Sequence, residues 1–217
     1  MSDPEQNTQK SQVWNVPNIL SGIRLIMAFM VVGAIPAQAY TLALVLFVIA
    51  ASTDWIDGWW ARKFDQVTQL GRILDPFCDK MIICGTYIVL AVEMQDYPWY
   101  AAITGWMAVV VMGREMLVTA LRSFIEQSGG DFSAKMAGKL KMVFQCVAVG
   151  AALVVLIYGR GQEEISLQAS PAWVNGTLIV FAWLALITTL YSGAEYVLAA
   201  ARFVKGAAGD ATSSEGD

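Results

Sequence analysis

Six apolar runs, at about 17–35, 39–60, 73–92, 98–125, 137–158 and 172–200, dominate this chain and leave it few ways to fold. Each is long enough to cross a hydrocarbon core of about 30 Å at about 1.5 Å per residue. Inside lipid every backbone polar group needs an internal partner, so spanning segments are either helices or the strands of a closed barrel. Barrel strands would alternate apolar and polar residues over about ten positions. The stretch Thr41–Ala50, T-L-A-L-V-L-F-V-I-A, does not alternate. The expectation is therefore an all-α integral membrane protein with six transmembrane helices. Composition agrees: 57% hydrophobic and 15% charged residues in a chain of 217 lie outside the usual soluble range, and the length is that of one domain.

Basic residues fall almost entirely on one side of this arrangement. Lys10, Arg24, Arg62, Lys63, Arg72, Lys80, Arg114, Arg122, Lys135, Lys139, Lys141, Arg202 and Lys205 share it, and Arg160 lies opposite, near Glu93, Asp96, Glu163 and Glu164. The positive-inside rule then sets both termini toward the cytoplasm, in a plasma (inner) membrane. The sequence divides into a polar cytoplasmic N-terminus, 1–13, a six-helix catalytic domain, 14–205, and a disordered acidic tail, 206–217. No apolar stretch follows Met1 closely, so the first hydrophobic segment reads as a retained membrane helix. Cys78, Cys84 and Cys146 lie in apolar segments without paired spacing, and the chain has no histidine. They indicate neither a zinc site nor a disulfide framework. The sequence shows no internal repeat, which leaves an inverted-repeat transporter without support.

Against this apolar background the segment from Asp54 to Asp79 stands out, because it sets the carboxylates of Asp54, Asp57, Asp75 and Asp79 where burial in lipid is costly. An acidic side chain at mid-membrane costs about 2.5–3.5 kcal/mol on insertion scales, so four unpaired ones would cost on the order of 10 kcal/mol. Something cationic has to compensate. Asp54 and Asp57 are three apart, and Asp75 and Asp79 four apart, so each pair shares a face of its own helix. If the two helices face each other across a short cytoplasmic turn, the four carboxylates meet in one cavity, and oxygen-only ligands of this kind suit Mg²⁺ or Mn²⁺. Gly58 and Ala61 extend the Asp54–Asp57 stripe with small residues that let a bulky group approach, and Arg62 can pair with phosphate oxygens. Gly71 shares a face with Asp75 and Asp79. Pro76 is harmless in a first helical turn; deeper in the helix it frees the Arg72 carbonyl. Trp55, Trp59 and Trp60 read as interfacial anchors.

The spacing D-x2-D-G-x2-A-R-x8-G-x3-D-x3-D, met without exception from Asp54 to Asp79, resembles the signature of the CDP-alcohol phosphotransferases. The resemblance implies a six-helix membrane enzyme, a homodimer, that transfers a phosphatidyl group from a CDP-lipid to an alcohol and releases CMP. It implies that Asp54, Asp57 and Asp75 bind divalent metal, with two ions in the site, and that Asp79 acts as general base and shares the second metal. It also implies that Gly58, Ala61, Arg62 and Gly71 contact the nucleotide. The chemistry is reasonable on its own terms. Phosphoryl transfer needs developing negative charge neutralised and the reacting oxygens aligned. In a chain without histidine a carboxylate is the natural base.

Three further segments narrow the acceptor. N-V-P-N-I-L-S-G-I-R, ending at Arg24, is similar to the first-helix pattern P-N-x-L-T-x2-R of the family branch that uses glycerol 3-phosphate, and adds Asn18 and Ser21 to the CDP-lipid contacts. G-R-E-M-L-V-T-A-L-R, from Gly113 to Arg122, and G-K-L-K, from Gly138 to Lys141, resemble that branch's later patterns. Arg114, Arg122, Lys139 and Lys141 are four cations at the inner ends of the fourth and fifth helices, available to a phosphate monoester. Glu115 can balance one of them. The expected partners are CDP-diacylglycerol, glycerol 3-phosphate and membrane lipids, with no nucleic acid. The alternatives are an acceptor such as inositol phosphate or phosphatidylglycerol within the same family, or a divalent-cation transporter.

Overall fold

The structure, a computed structural model, describes residues 16–64, 69–127, 136–160 and 169–214, with side chains over 19–53, 76–125, 140–160 and 169–203. Among the described residues there are six helices and no strand: α1 (Val16–Ala34), α2 (Tyr40–Phe64), α3 (Gln69–Glu93), α4 (Gly105–Gln127), α5 (Met136–Gly159) and α6 (Ala172–Ser214). The fold is the all-α membrane architecture expected from the six apolar runs. Leu140–Gly159 and Ala172–Phe203 are, among the described residues, the stretches long and apolar enough to span a bilayer by themselves, and α1 and α2 hold shorter ones, Ile19–Ala34 and Tyr40–Thr53. α3 and α4 miss that test because of the charges they carry: Asp79, Lys80 and Glu93 on α3, Arg114, Glu115 and Arg122 on α4.

The outward faces suit lipid rather than water. On α1 the exposed side chains Ile19, Ile23, Ile26, Phe29 and Met30 recur at helical spacing, and Val45 and Val48 on α2, Val92 on α3 and Val109 on α4 are exposed too. An apolar surface this continuous would drive aggregation in water. Helix hydroxyls are satisfied locally, as when Thr53 Oγ1 donates to the Ile49 carbonyl at 2.7 Å and Thr177 Oγ1 to the Trp173 carbonyl at 2.8 Å. The interior is packed by Ala28 and Val31 of α1, Ile35 of the turn after it, Phe47 of α2, Leu90 of α3, and Ala152 and Leu153 of α5. α1 packs on both α2 and α3, and α5 also packs on both before making its most extensive contact with α6; α4 is held between α3 and α6.

Local chemistry explains the joints. α1 closes with Gln38 in the left-handed region, φ 57°. The Gln38 N–H donates to the Ile35 carbonyl at 2.8 Å and the Ala39 N–H to the Ala34 carbonyl at 2.9 Å. This is a Schellman pair, in which glycine is the usual left-handed residue. At the far end of the hairpin that follows, the Tyr40 hydroxyl donates to Glu93 Oε1 at 2.5 Å, tying the start of α2 to the end of α3. Gly85 lets α1 and α3 approach closely, since a Cβ there would lie 2.9 Å from Val32 Cγ2. Ser170 and Pro171 open α6: Ser170 Oγ donates to Asn175 Oδ1 at 2.7 Å, and the Pro171 carbonyl accepts from the Val174 N–H at 2.9 Å.

Two expected boundaries are corrected. The run 98–125 is not one helix, because α4 begins at Gly105 and residues 98–104 form an irregular segment. Pro98 lacks the N–H that a helix here would need and biases its predecessor away from helical dihedrals. Ala101, Ala102 and Ile103 are nevertheless buried, and irregular backbone at such a position needs partners. Trp183 Nε1–H provides one by donating to the Tyr100 carbonyl at 3.1 Å. At the other end α6 continues to Ser214, past Gly206 where the disordered tail is expected to begin. Ala207, Ala208 and Ala211 favour helix enough to carry it on. The N-terminal segment 1–13 lies outside the described residues.

Candidate active site

The aspartate motif lies in the C-terminal part of α2 and the N-terminal part of α3, with Asp54, Asp57, Gly58, Ala61 and Arg62 on α2 and Gly71, Asp75 and Asp79 on α3. α3 begins at Gln69, so Pro76 stands inside the helix rather than in its first turn. The Arg72 carbonyl consequently lacks its usual donor four residues on. Of this set Asp79 alone has a described side chain. Those of Asp54, Asp57, Gly58, Ala61, Arg62, Gly71 and Asp75 lie outside the described residues, as do those of Asn18 on α1 and Lys139 on α5. Among the described residues no three metal-ligating side chains converge, three of the four aspartates being beyond them.

What the described part shows is that α1, α2, α3 and α5 meet at Asp79. A small cavity of about 40 Å³ is walled by Arg24 of α1, Phe47 and Ala50 of α2, Asp79 and Ile83 of α3, and Met142 of α5. Helical register carries the Ala50 face of α2 on to positions 54, 57 and 61, and the Asp79 face of α3 back to positions 75 and 71. Of the four acids expected to share one space, Asp79 lines this cavity, and the side chains of Asp54, Asp57 and Asp75 lie outside the described residues. A cavity of this size admits a water molecule and no nucleotide. Oxygen donors on both helices fit a hard divalent cation there. Arg24 is 2% exposed, buried in the same wall as Asp79. The sequence pattern ends on this residue without assigning it a role. Ser21 is also buried, and its carbonyl accepts a weak bond from Cys78 Sγ at 3.3 Å, which fastens α1 to α3 beside Asp79.

Beside this cavity α4, α5 and α6 bring two cations together. Glu115 Oε1 accepts from Arg114 at 3.1 Å and also from Lys141 Nζ across the α4–α5 contact. All three side chains are largely buried. Glu115 thus balances two cations rather than one. Arg114 reaches α6 as well, donating to Ser192 Oγ at 2.9 Å, with its guanidinium 5.6 Å from the centre of the Tyr196 ring. Deeper, Gln145 Nε2 donates to Thr189 Oγ1 at 3.3 Å between α5 and α6. The two regions are contiguous through Met142, which follows Lys141 in α5 and lines the Asp79 cavity. Of the four expected acceptor cations, the structure brings Arg114 and Lys141 together. Arg122 stands exposed two turns further along α4, and Lys139 has no described side chain. Sequence reading missed Ser192 and Tyr196. Their signal is faint, a hydroxyl and an aromatic four apart on α6 with Glu195 between them.

Comparison with known proteins gives the chain its family. The family model for CDP-alcohol phosphatidyltransferase matches residues 14–191. A relative from Bacillus subtilis (strain 168), named CDP-diacylglycerol–glycerol-3-phosphate 3-phosphatidyltransferase, is 32% identical over 85% of this chain and 94% of its own length. A protein of the same name from Salmonella paratyphi A is 31% identical over 86% of this chain and 95% of its own. A Mycobacterium tuberculosis protein named probable phosphatidylglycerophosphate synthase is 30% identical over 91% of this chain and 87% of its own. With its helices, its aspartate spacing and its length all accounted for, the chain belongs to the CDP-alcohol phosphatidyltransferase family.

Proposed function

We propose that this chain transfers the phosphatidyl group of CDP-diacylglycerol to glycerol 3-phosphate, giving phosphatidylglycerol phosphate and CMP. The observation that carries the reading is the buried Arg114–Glu115–Lys141 cluster next to Asp79, in a chain whose named relatives take glycerol 3-phosphate. A phosphate monoester held at Arg114 and Lys141 leaves the far hydroxyl of its glycerol free to point at Asp79. The Asp79 carboxylate accepts that hydroxyl's proton as the oxygen attacks the phosphatidyl phosphorus. The bond from that phosphorus to the bridging oxygen breaks, and its electron pair leaves with CMP. Arg122 and Lys139 extend the same positive wall toward the cytoplasm.

Members of this family depend generally on divalent metal. Here Asp54, Asp57, Asp75 and Asp79 would hold two ions, Mg²⁺ or Mn²⁺, which when bound neutralise the charge of the pyrophosphate. On the donor side Gly58, Ala61 and Gly71 admit the nucleotide close to the backbone, and Arg62 and Asn18 meet its polar groups. Ser21 contributes by holding the start of α1 against α3. The enzyme works as a homodimer in the plasma membrane, with its active site and both termini facing the cytoplasm.

The test is CMP release by purified protein in lipid, supplied with CDP-diacylglycerol and equal concentrations of glycerol 3-phosphate, inositol phosphate and phosphatidylglycerol. Preference for glycerol 3-phosphate, abolished by EDTA and restored by Mg²⁺ or Mn²⁺, is the expected result. Preference for another acceptor would overturn the acceptor assignment, and full activity in EDTA the metal assignment.

A further inference from the structure

Arg114 is held by more than its own helix. Three positions of α6 converge on it, each by a different kind of contact. Ser192, wholly buried, accepts a hydrogen bond from it at 2.9 Å. Tyr196, one turn on and also buried, lies with its ring centre 5.6 Å from the guanidinium carbon. Between them Gly193 has no side chain, and a Cβ there would lie 3.2 Å from Arg114 Cγ, tighter than ordinary packing. The hydroxyl takes one guanidinium nitrogen, the ring covers the charge and the bare backbone receives the aliphatic stem.

We propose that Ser192, Gly193 and Tyr196 form a socket on α6 that positions Arg114 for the acceptor's phosphate. The inference rests on the acceptor reading given above and adds residues to it. A long side chain such as arginine carries rotamer entropy, and any of it still free in the unliganded enzyme is lost when phosphate binds. Fixing the stem and one nitrogen beforehand removes part of that loss from the binding step. An arginine has five N–H donors, and bonds to Glu115 and Ser192 leave others for a phosphate. The three α6 residues are positioning residues: they act through Arg114 and touch no substrate.

The experiment measures KM for glycerol 3-phosphate and for CDP-diacylglycerol separately, on full-length protein in lipid, with thermal melting as a check on folding. Ser192→Ala and Tyr196→Leu are each expected to raise the acceptor KM about five- to tenfold, with the donor KM changed by less than about twofold. Tyr196→Phe, which keeps the ring, should return the acceptor KM toward that of the parent. Arg114→Ala should raise it further, and Ser192→Ala added to Arg114→Ala should change nothing more, because its effect passes through the missing arginine. If Arg114→Ala raises the acceptor KM while Ser192→Ala and Tyr196→Leu melt normally and leave it unmoved, the socket is overturned and the acceptor reading stands. Additive effects in the double variant would overturn the socket in the same way. An unmoved acceptor KM in Arg114→Ala would overturn the acceptor reading at this residue, and the socket's role with it.

Discussion

The two halves of the site are built on different principles. On the α2–α3 side the chemistry lies along single helices, where Asp54 with Asp57 and Asp75 with Asp79 are neighbours by spacing alone. On the α4–α6 side it lies between helices: Lys141 meets Glu115 across 26 residues of sequence, and Ser192 meets Arg114 across 78. The first half can be written as a linear pattern. The second exists only once α4, α5 and α6 have packed, and substitutions there are felt through neighbours. The acid side should therefore lose chemistry when altered, and the cation side should lose binding and stability.

Four substitutions sharpen or break that contrast. The largest effect is expected from Asp79→Asn, which should cut turnover by about 10²–10⁴-fold, the range of a lost general base, while CDP-diacylglycerol still binds in an equilibrium assay. Donor binding lost in parallel with turnover would make Asp79 chiefly a metal ligand and blur the division. Next comes Glu115→Gln, which strips one carboxylate from two buried cations. Breaking such a pair costs about 3 kcal/mol or more, so denaturation in detergent should shift strongly, while turnover per folded molecule falls far less than in Asp79→Asn. A turnover loss as deep as that of Asp79→Asn would move Glu115 into the chemical half.

Gly85→Ala tests the scaffold behind the acid side. The added methyl meets Val32 at 2.9 Å, and overpacking of this kind costs about 1–3 kcal/mol. The melting temperature should fall with KM values unchanged, whereas a selective change in donor KM would show that the α1–α3 spacing tunes the site. The smallest effect is assigned to a residue remote from both halves. Gln38→Gly relieves a left-handed backbone position and should raise stability by about 0.5–1 kcal/mol, with all kinetic constants as in the parent. A loss of stability instead would mean that the Gln38 side chain contributes to the turn.

How much was legible in the sequence follows the same division. Helix number and type came from run length and continuity, because a bilayer demands both. The periodicity of the acids on α2 and α3 groups each pair on one face, and of the four the Asp79 cavity shows only Asp79. Arg24 was visible only as the end of a pattern, since nothing local says that a lone arginine on an apolar helix turns inward to share a wall with an aspartate. Among the acceptor cations, spacing grouped Arg114 with Arg122 on one helix. Packing paired Arg114 with Lys141 instead, through a glutamate whose two allegiances no spacing encodes. The start of α4 was misjudged for a related reason: apolarity fixes which residues enter the membrane but not whether they are helical, and Pro98 decided that.

That early break in α4 bears on how the protein is made. The Tyr100 carbonyl accepts its bond from Trp183 and Arg114 donates to Ser192, and both of these partners lie on α6, which is made after α4. Until α6 packs, the fourth segment carries an open backbone group and a charge lacking one of its partners. Its final depth is thus expected to be settled only once α6 has joined it. Nascent chains arrested before residue 172 should leave 98–104 open to added protease, and chains extended through α6 should close it.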